Sequence, residues 1–80
     1  PLRLSARAEF SIEKPGSRQE FLRTRVTSVN GMLHAATHPN QSSGVLSSVS
    51  WANALAVIPP GVTVAVGDSV EVLLLDQLNR

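Results

Sequence analysis

The sequence predicts a mostly β protein, a small antiparallel barrel or strongly bent ribbon with one short helix. Three observations predict it. Leu2–Phe10 and Glu20–Val29 alternate between apolar and polar residues with a period of two. Asn30-Gly31 lies between Val29 and Met32 and supplies the two positive φ angles of a tight hairpin turn. Gly and Pro breakers then cut the rest of the chain into short apolar pieces.

In chain order, the first strand sets Leu2, Leu4, Ala6, Ala8 and Phe10 against Arg3, Ser5, Arg7 and Glu9. Lys14-Pro15-Gly16-Ser17 is a loop. The next strand, Glu20–Val29, puts Phe21, Arg23, Arg25 and Thr27 on one face and Leu22, Thr24, Val26 and Ser28 on the other. Met32–His38 returns from the hairpin, and Pro39 ends it. Asn40–Gly44 is a polar loop. Val45, Leu46, Val49 and Ala52 then fall at helical spacing, with Ser42 or Ser43 as the cap and an end near Asn53. Ala54–Ile58 is a short strand stopped by Pro59-Pro60-Gly61. Val62–Val66 is a short extended piece, Gly67-Asp68 a turn, and Val70–Leu75 the last strand. The run Leu73-Leu74-Leu75 requires cover on both faces or a partner surface. Five or six strands result.

Eighty residues make one domain, residues 1–80. A chain of this size buries only about 60–65% of its unfolded surface. A deep internal site is therefore not expected, and a site should be shallow or completed by another domain. The chain starts at Pro1 without an initiator Met, which reads as an excised domain. Aromatic residues make up 4% of the chain, too few for a base-stacking platform. A net charge of +1 lacks the basic footprint of a nucleic-acid or membrane binder. With no cysteine there is no disulfide, thiolate metal site or Cys nucleophile, and the composition is compatible with the cytoplasm. Six of the seven basic residues are Arg, a side chain suited to oxyanions.

Catalytic motifs are missing. There is no nucleophile elbow, no P-loop and no dinucleotide fingerprint. A triad from Ser43, His38 and Asp68 has nothing in its spacing to support it. His34 and His38 on a strand stand about 13 Å apart, too far to share a metal. They read as surface or edge histidines. The carboxylates are scattered, and Asp68 reads as a turn former. Trp51 reads as a core or rim anchor, with an interface contact as the other reading. One constellation remains. Ser42-Ser43-Gly44 precedes the short helix, where free N–H groups and hydroxyls suit an anion. Arg23 and Arg25 share one strand face and supply counter-charge. On the residues alone, a plain Ser cap with two solvated arginines outweighs the anion site.

Three stretches shift that balance. Gly16-Ser17-Arg18-Gln19-Glu20-Phe21-Leu22-Arg23 resembles the pattern G-R-x-E-F-x-R. Gln41-Ser42-Ser43-Gly44-Val45-Leu46-Ser47-Ser48-Val49, followed by Ala52-Asn53-Ala54 and Ile58-Pro59, resembles Q-x-S-G-x-L-S-S-L with A-N-G and L-P after it. Val66-Gly67-Asp68-Ser69-Val70-Glu71-Val72-Leu73-Leu74 is similar to a-G-e-x-V-e-V-l-L. Together they resemble the C-terminal domain of the MoeA/gephyrin E-domain family, the molybdopterin molybdenumtransferases. Order and spacing hold from Pro15 to Leu75. Ala54 stands where the family usually has Gly, Ser42 where Gly is common, and Trp51 where a polar residue is frequent.

The resemblance implies a partly open β-barrel of the β-clip type at the end of a multidomain enzyme. That enzyme inserts molybdate into adenylylated molybdopterin with Mg²⁺ and releases AMP. The family works as a homodimer, with its cleft between this domain and a larger α/β domain across the dimer. The catalytic acid belongs to the other domain, so no catalytic residue, metal ligand or resident cofactor is expected here, nor activity from the isolated domain. By motif position, Arg23 and Ser43 are implied at the oxyanion, with Gly44 beside them. Arg25, Ser42 and Ser47 are secondary candidates. The alternative is a protein-interaction module without its own chemistry, as in the gephyrin branch, using Trp51 and Leu73-Leu74-Leu75 as its surface.

Overall fold

The structure, a computed structural model, describes residues 3–38 and 51–75. The expected helix, apart from its last residues Trp51–Asn53, and the candidates Ser42, Ser43, Gly44 and Ser47 lie outside the described residues.

Period-two alternation becomes strand where one face must be buried. Five strands form: β1 (Arg3–Ala8), β2 (Glu20–Val29), β3 (Met32–Thr37), β4 (Ala54–Ile58) and β5 (Ser69–Leu74). β2 and β4 have the bounds expected from the sequence, and the others agree within two residues. Asn30 at φ 52° and Gly31 at φ 80° make the hairpin turn between β2 and β3. The extended piece at Val62–Val66 is not a strand. Only Val64 pairs, in a single antiparallel bridge with Ile12. Asp68 forms the expected turn, its carboxylate accepting from the Ala65 N–H at 2.8 Å.

The strands close into a barrel in the order β1-β3-β2-β4-β5. Five strands around a ring cannot all alternate in direction, so one neighbouring pair must be parallel. That pair is β1 and β3, matched at Arg7↔His34 and Ala8↔Ala35, and the other four pairings are antiparallel. The expected small barrel is thus present, closed by a short parallel seam.

β2 is the longest strand and serves two neighbours in succession. Its residues Glu20–Thr24 pair with β4, and Thr24–Val29 pair with β3. Thr24 belongs to both ladders and is fully buried. Its hydroxyl donates to the Ala54 carbonyl at 3.3 Å, which satisfies the one buried polar side chain among the described residues.

A barrel of so few strands has a narrow interior, and small side chains fill it. Ala6, Ala8, Ala35, Ala54 and Ala56 all point inward, with bulk supplied by Phe10, Ile58, Val64, Val70 and Val72. Leu73 is buried on the outer face, and Leu74 and Leu75 are half-buried. Both faces of that apolar run are therefore covered. Among the described residues no helix is long and apolar enough to cross a membrane.

Ala35 has no exposed surface, and the interior around it has no room for three more heavy atoms. Ala35→Leu should lower stability by about 1–3 kcal/mol in chemical unfolding through overpacking. Unchanged stability would show spare volume in the barrel.

Candidate functional site

The outer face of β2 is where the sequence candidates can be located. Alternation turns Leu22, Thr24 and Val26 inward and leaves Phe21, Arg23, Arg25 and Thr27 exposed. Arg23 stands opposite Leu55 of β4, and Arg25 opposite Ala36 of β3. Residues two apart on a strand are about 6.5 Å apart, so the two guanidinium groups can address one neighbourhood.

Arg25 is partly engaged. Its guanidinium donates to the Trp51 carbonyl at 2.7 Å. The Trp51 ring meets the His38 ring edge-on, with centroids 5.0 Å apart. Trp51 is half-buried, which fits the rim-anchor reading.

Asn53 holds the same stretch more firmly. Beyond Thr24, β4 no longer runs beside β2, so the Val26 peptide groups on that edge would lose their ladder partners. The Asn53 side chain replaces them. Its Oδ1 accepts from the Val26 N–H at 2.7 Å, and its Nδ2 donates to the Val26 carbonyl at 3.0 Å. A primary amide carries the same donor and acceptor as a peptide unit, which is why Asn suits this position. The Asn53 backbone N–H donates to the Thr24 carbonyl at 3.0 Å, and its carbonyl accepts from the Leu75 N–H at 2.9 Å. In the sequence Asn53 was only one letter of a motif. An Asn immediately before an apolar strand is the signal present, and it is too common to be decisive.

The remaining titratable groups are spread around the barrel. His34 is half-buried, not a plain surface group, and lies 3.0 Å from the Glu9 carboxylate. Glu71 pairs with Arg3 across β1 and β5. Exposed pairs of this kind contribute little stability. Among the described residues no three acids or histidines gather as a metal site. The larger exposed apolar side chains are Phe21, Val29, Met32, Val62 and Val66. They are not the Trp51 and Leu73–Leu75 surface expected for an interaction module. Met32 and Val66, with Arg7, Glu9 and His34, line an open groove at the β1–β3 seam.

The structure thus brings Arg23, Arg25, Trp51 and Asn53 to one side of the barrel. The family model for the MoeA C-terminal region (domain IV) matches residues 5–75. The chain belongs to this family. Among curated proteins none matches it. A solved structure similar to this MoeA C-terminal domain is the molybdopterin biosynthesis moeA protein from Pyrococcus horikoshii OT3, at a TM-score of 0.67 and 27% identity. That match covers 91% of this chain and 18% of the Pyrococcus chain. The MoeA relationship and the barrel agree, since the matched residues run from β1 to the end of β5.

Asn53→Ala leaves the Val26 N–H and carbonyl without their amide. Stability should fall by about 1–3 kcal/mol. Hydrogen exchange should show the Val26 amide exchanging faster than in the unaltered domain. Unchanged protection at Val26 would mean that the amide bridge is dispensable.

Proposed function

We propose that this domain supplies the oxyanion-holding side of a molybdenum-insertion site in molybdenum cofactor biosynthesis. In the complete protein, molybdate is inserted into adenylylated molybdopterin with release of AMP. The observation that carries this reading is the outer face of β2, which exposes Arg23 and, two residues on, meets through Arg25 and Val26 the 51–53 stretch that follows the Ser42-Ser43-Gly44 motif in sequence.

The physical logic is electrostatic. Molybdate is a dianion and the pterin substrate carries phosphate, so their approach costs repulsion. A guanidinium offsets that charge and can bind two oxygens in parallel through its planar fork. The Ser43 hydroxyl and the Gly44 N–H add neutral donors, and glycine lets the anion come close to the backbone. Donors held on a strand need little reorganisation when the anion arrives. Arg23 and Ser43 are binding groups in this reading, and the acid–base chemistry comes from the larger α/β domain across a homodimer.

Magnesium does not fit this domain's described donors. Glu9 is engaged with His34 and Glu71 with Arg3, and no third acid or histidine joins either pair. Divalent cations prefer several oxygen ligands around one point. In this reading the cation is held by the rest of the complete protein.

In the complete protein, Arg23→Ala and Ser43→Ala should each reduce molybdate-dependent cofactor formation. Losing a charge-assisted hydrogen bond costs about 1.5–3 kcal/mol, roughly 10–150-fold. Full activity in both variants would overturn the site assignment.

A further inference from the structure

Met32 and His34 are two residues apart on β3, so their side chains leave the same outer face of the strand. Leu33 between them packs against the core. Both outward side chains line the open groove at the β1–β3 seam, together with Arg7, Glu9 and Val66. The seam continues one step past β1, where the Glu9 N–H donates to the Ala35 carbonyl at 2.8 Å. The Glu9 carboxylate thereby meets Nδ1 of His34 at 3.0 Å. A neutral imidazole donates its Nδ1–H there and keeps its lone pair on Nε2. Glu9 thus selects the tautomer and steadies the ring, as carboxylates do behind metal-binding histidines. Nε2 and the Met32 thioether are left as two donors on one wall of the groove.

We propose that Met32 and His34 bind a soft monovalent cation, Cu(I) among the metals of a cell, with Glu9 as a positioning residue. Thioether sulfur and imidazole nitrogen suit Cu(I), whereas hard divalent cations need several oxygens around one point. Among the described residues no group of three acids or histidines is present to meet that need. The Arg7 guanidinium on the rim, donating to the Gly67 carbonyl at 3.1 Å, repels a doubly charged ion more than a singly charged one. A metal joining nitrogen to sulfur holds them about 4–4.5 Å apart, through bonds of ~2.0–2.3 Å. Side chains two apart on a strand face start about 6.5 Å apart, and the rotatable bonds of Met close the difference. Met32 is 45% exposed, so it has room to turn toward Nε2, and core packing does not account for it. The site is separate from the oxyanion reading and does not depend on it.

The test is a titration of the complete protein with Ag(I), a redox-inert stand-in for Cu(I), followed by the methyl NMR signal of Met32. Met32→Leu identifies that signal by removing it. The signal should shift and saturate, Cu(I) added without oxygen should shift it likewise, and excess Mg²⁺ should leave it unmoved. The His34 Nε2 resonance should move with the same midpoint, a readout that needs no variant. His34→Gln should raise the half-saturating Ag(I) concentration about 100-fold, and Glu9→Ala about 10-fold or more. Glu9→Gln should recover most of that loss, because its amide oxygen still accepts from Nδ1–H. An unmoved Met32 signal would overturn the site, as would a Met32 shift without one at Nε2 or one as ready in His34→Gln. Equal midpoints in Glu9→Ala and the unaltered protein would overturn the positioning role of Glu9.

Discussion

β2 must serve two neighbours along a single edge-to-edge length, and the rest of the barrel is arranged around that demand. β4 accompanies its first half and β3 its second, with Thr24 shared between them. Where β4 leaves, Val26 presents an N–H and a carbonyl to an edge with no strand beside it. An unpaired peptide group in a partly buried position costs about as much as a lost hydrogen bond. Asn53 removes that cost with one side chain and fixes the start of β4 as it does so. The inward row then continues through Ala54 and Ala56 against Thr24 and Leu22. Five strands closing on themselves leave room for little more than alanine at those levels.

The same arrangement bears on where a domain with so small an interior can present a site. Among the described residues the barrel interior is filled mainly by alanines and valines. The outer faces of its strands are where polar and charged side chains are displayed. β2 is the longest strand and is packed by one face, so its other face is the longest row on display. Its outward residues therefore stand on a rigid base, and Arg23 and Arg25 inherit that rigidity. A site completed by a second surface can use such a face without burying the arginines before the anion arrives.

Much of the barrel was legible because alternation carries register. The faces of β1 and β2, the Asn30-Gly31 turn and the bounds of β4 all follow from local pattern. The closure was not legible. The parallel seam of β1 and β3 is a consequence of strand number and long-range pairing, and no local pattern encodes it. Val62–Val66 read as extended, yet Val64 alone finds a partner, because Ile12 crosses it at one point only. At the site, Arg23 and Arg25 were visible as a shared face. The tie from Arg25 to the Trp51 carbonyl was not, since that carbonyl is far away in sequence. Asn53 was visible as a motif letter, and its role as a substitute peptide unit emerges only when Val26 is seen beside it.

The central claim is that Arg23 and the Ser43-Gly44 segment converge on one oxyanion. The most direct measurement is a crystal of the complete protein with molybdate, phased by anomalous scattering at the molybdenum edge. The account predicts a molybdenum peak whose oxygens lie within hydrogen-bonding reach of the Arg23 guanidinium and the Ser43 hydroxyl, with Arg25 still on the Trp51 carbonyl. A fully occupied peak out of reach of both Arg23 and Ser43 would contradict it.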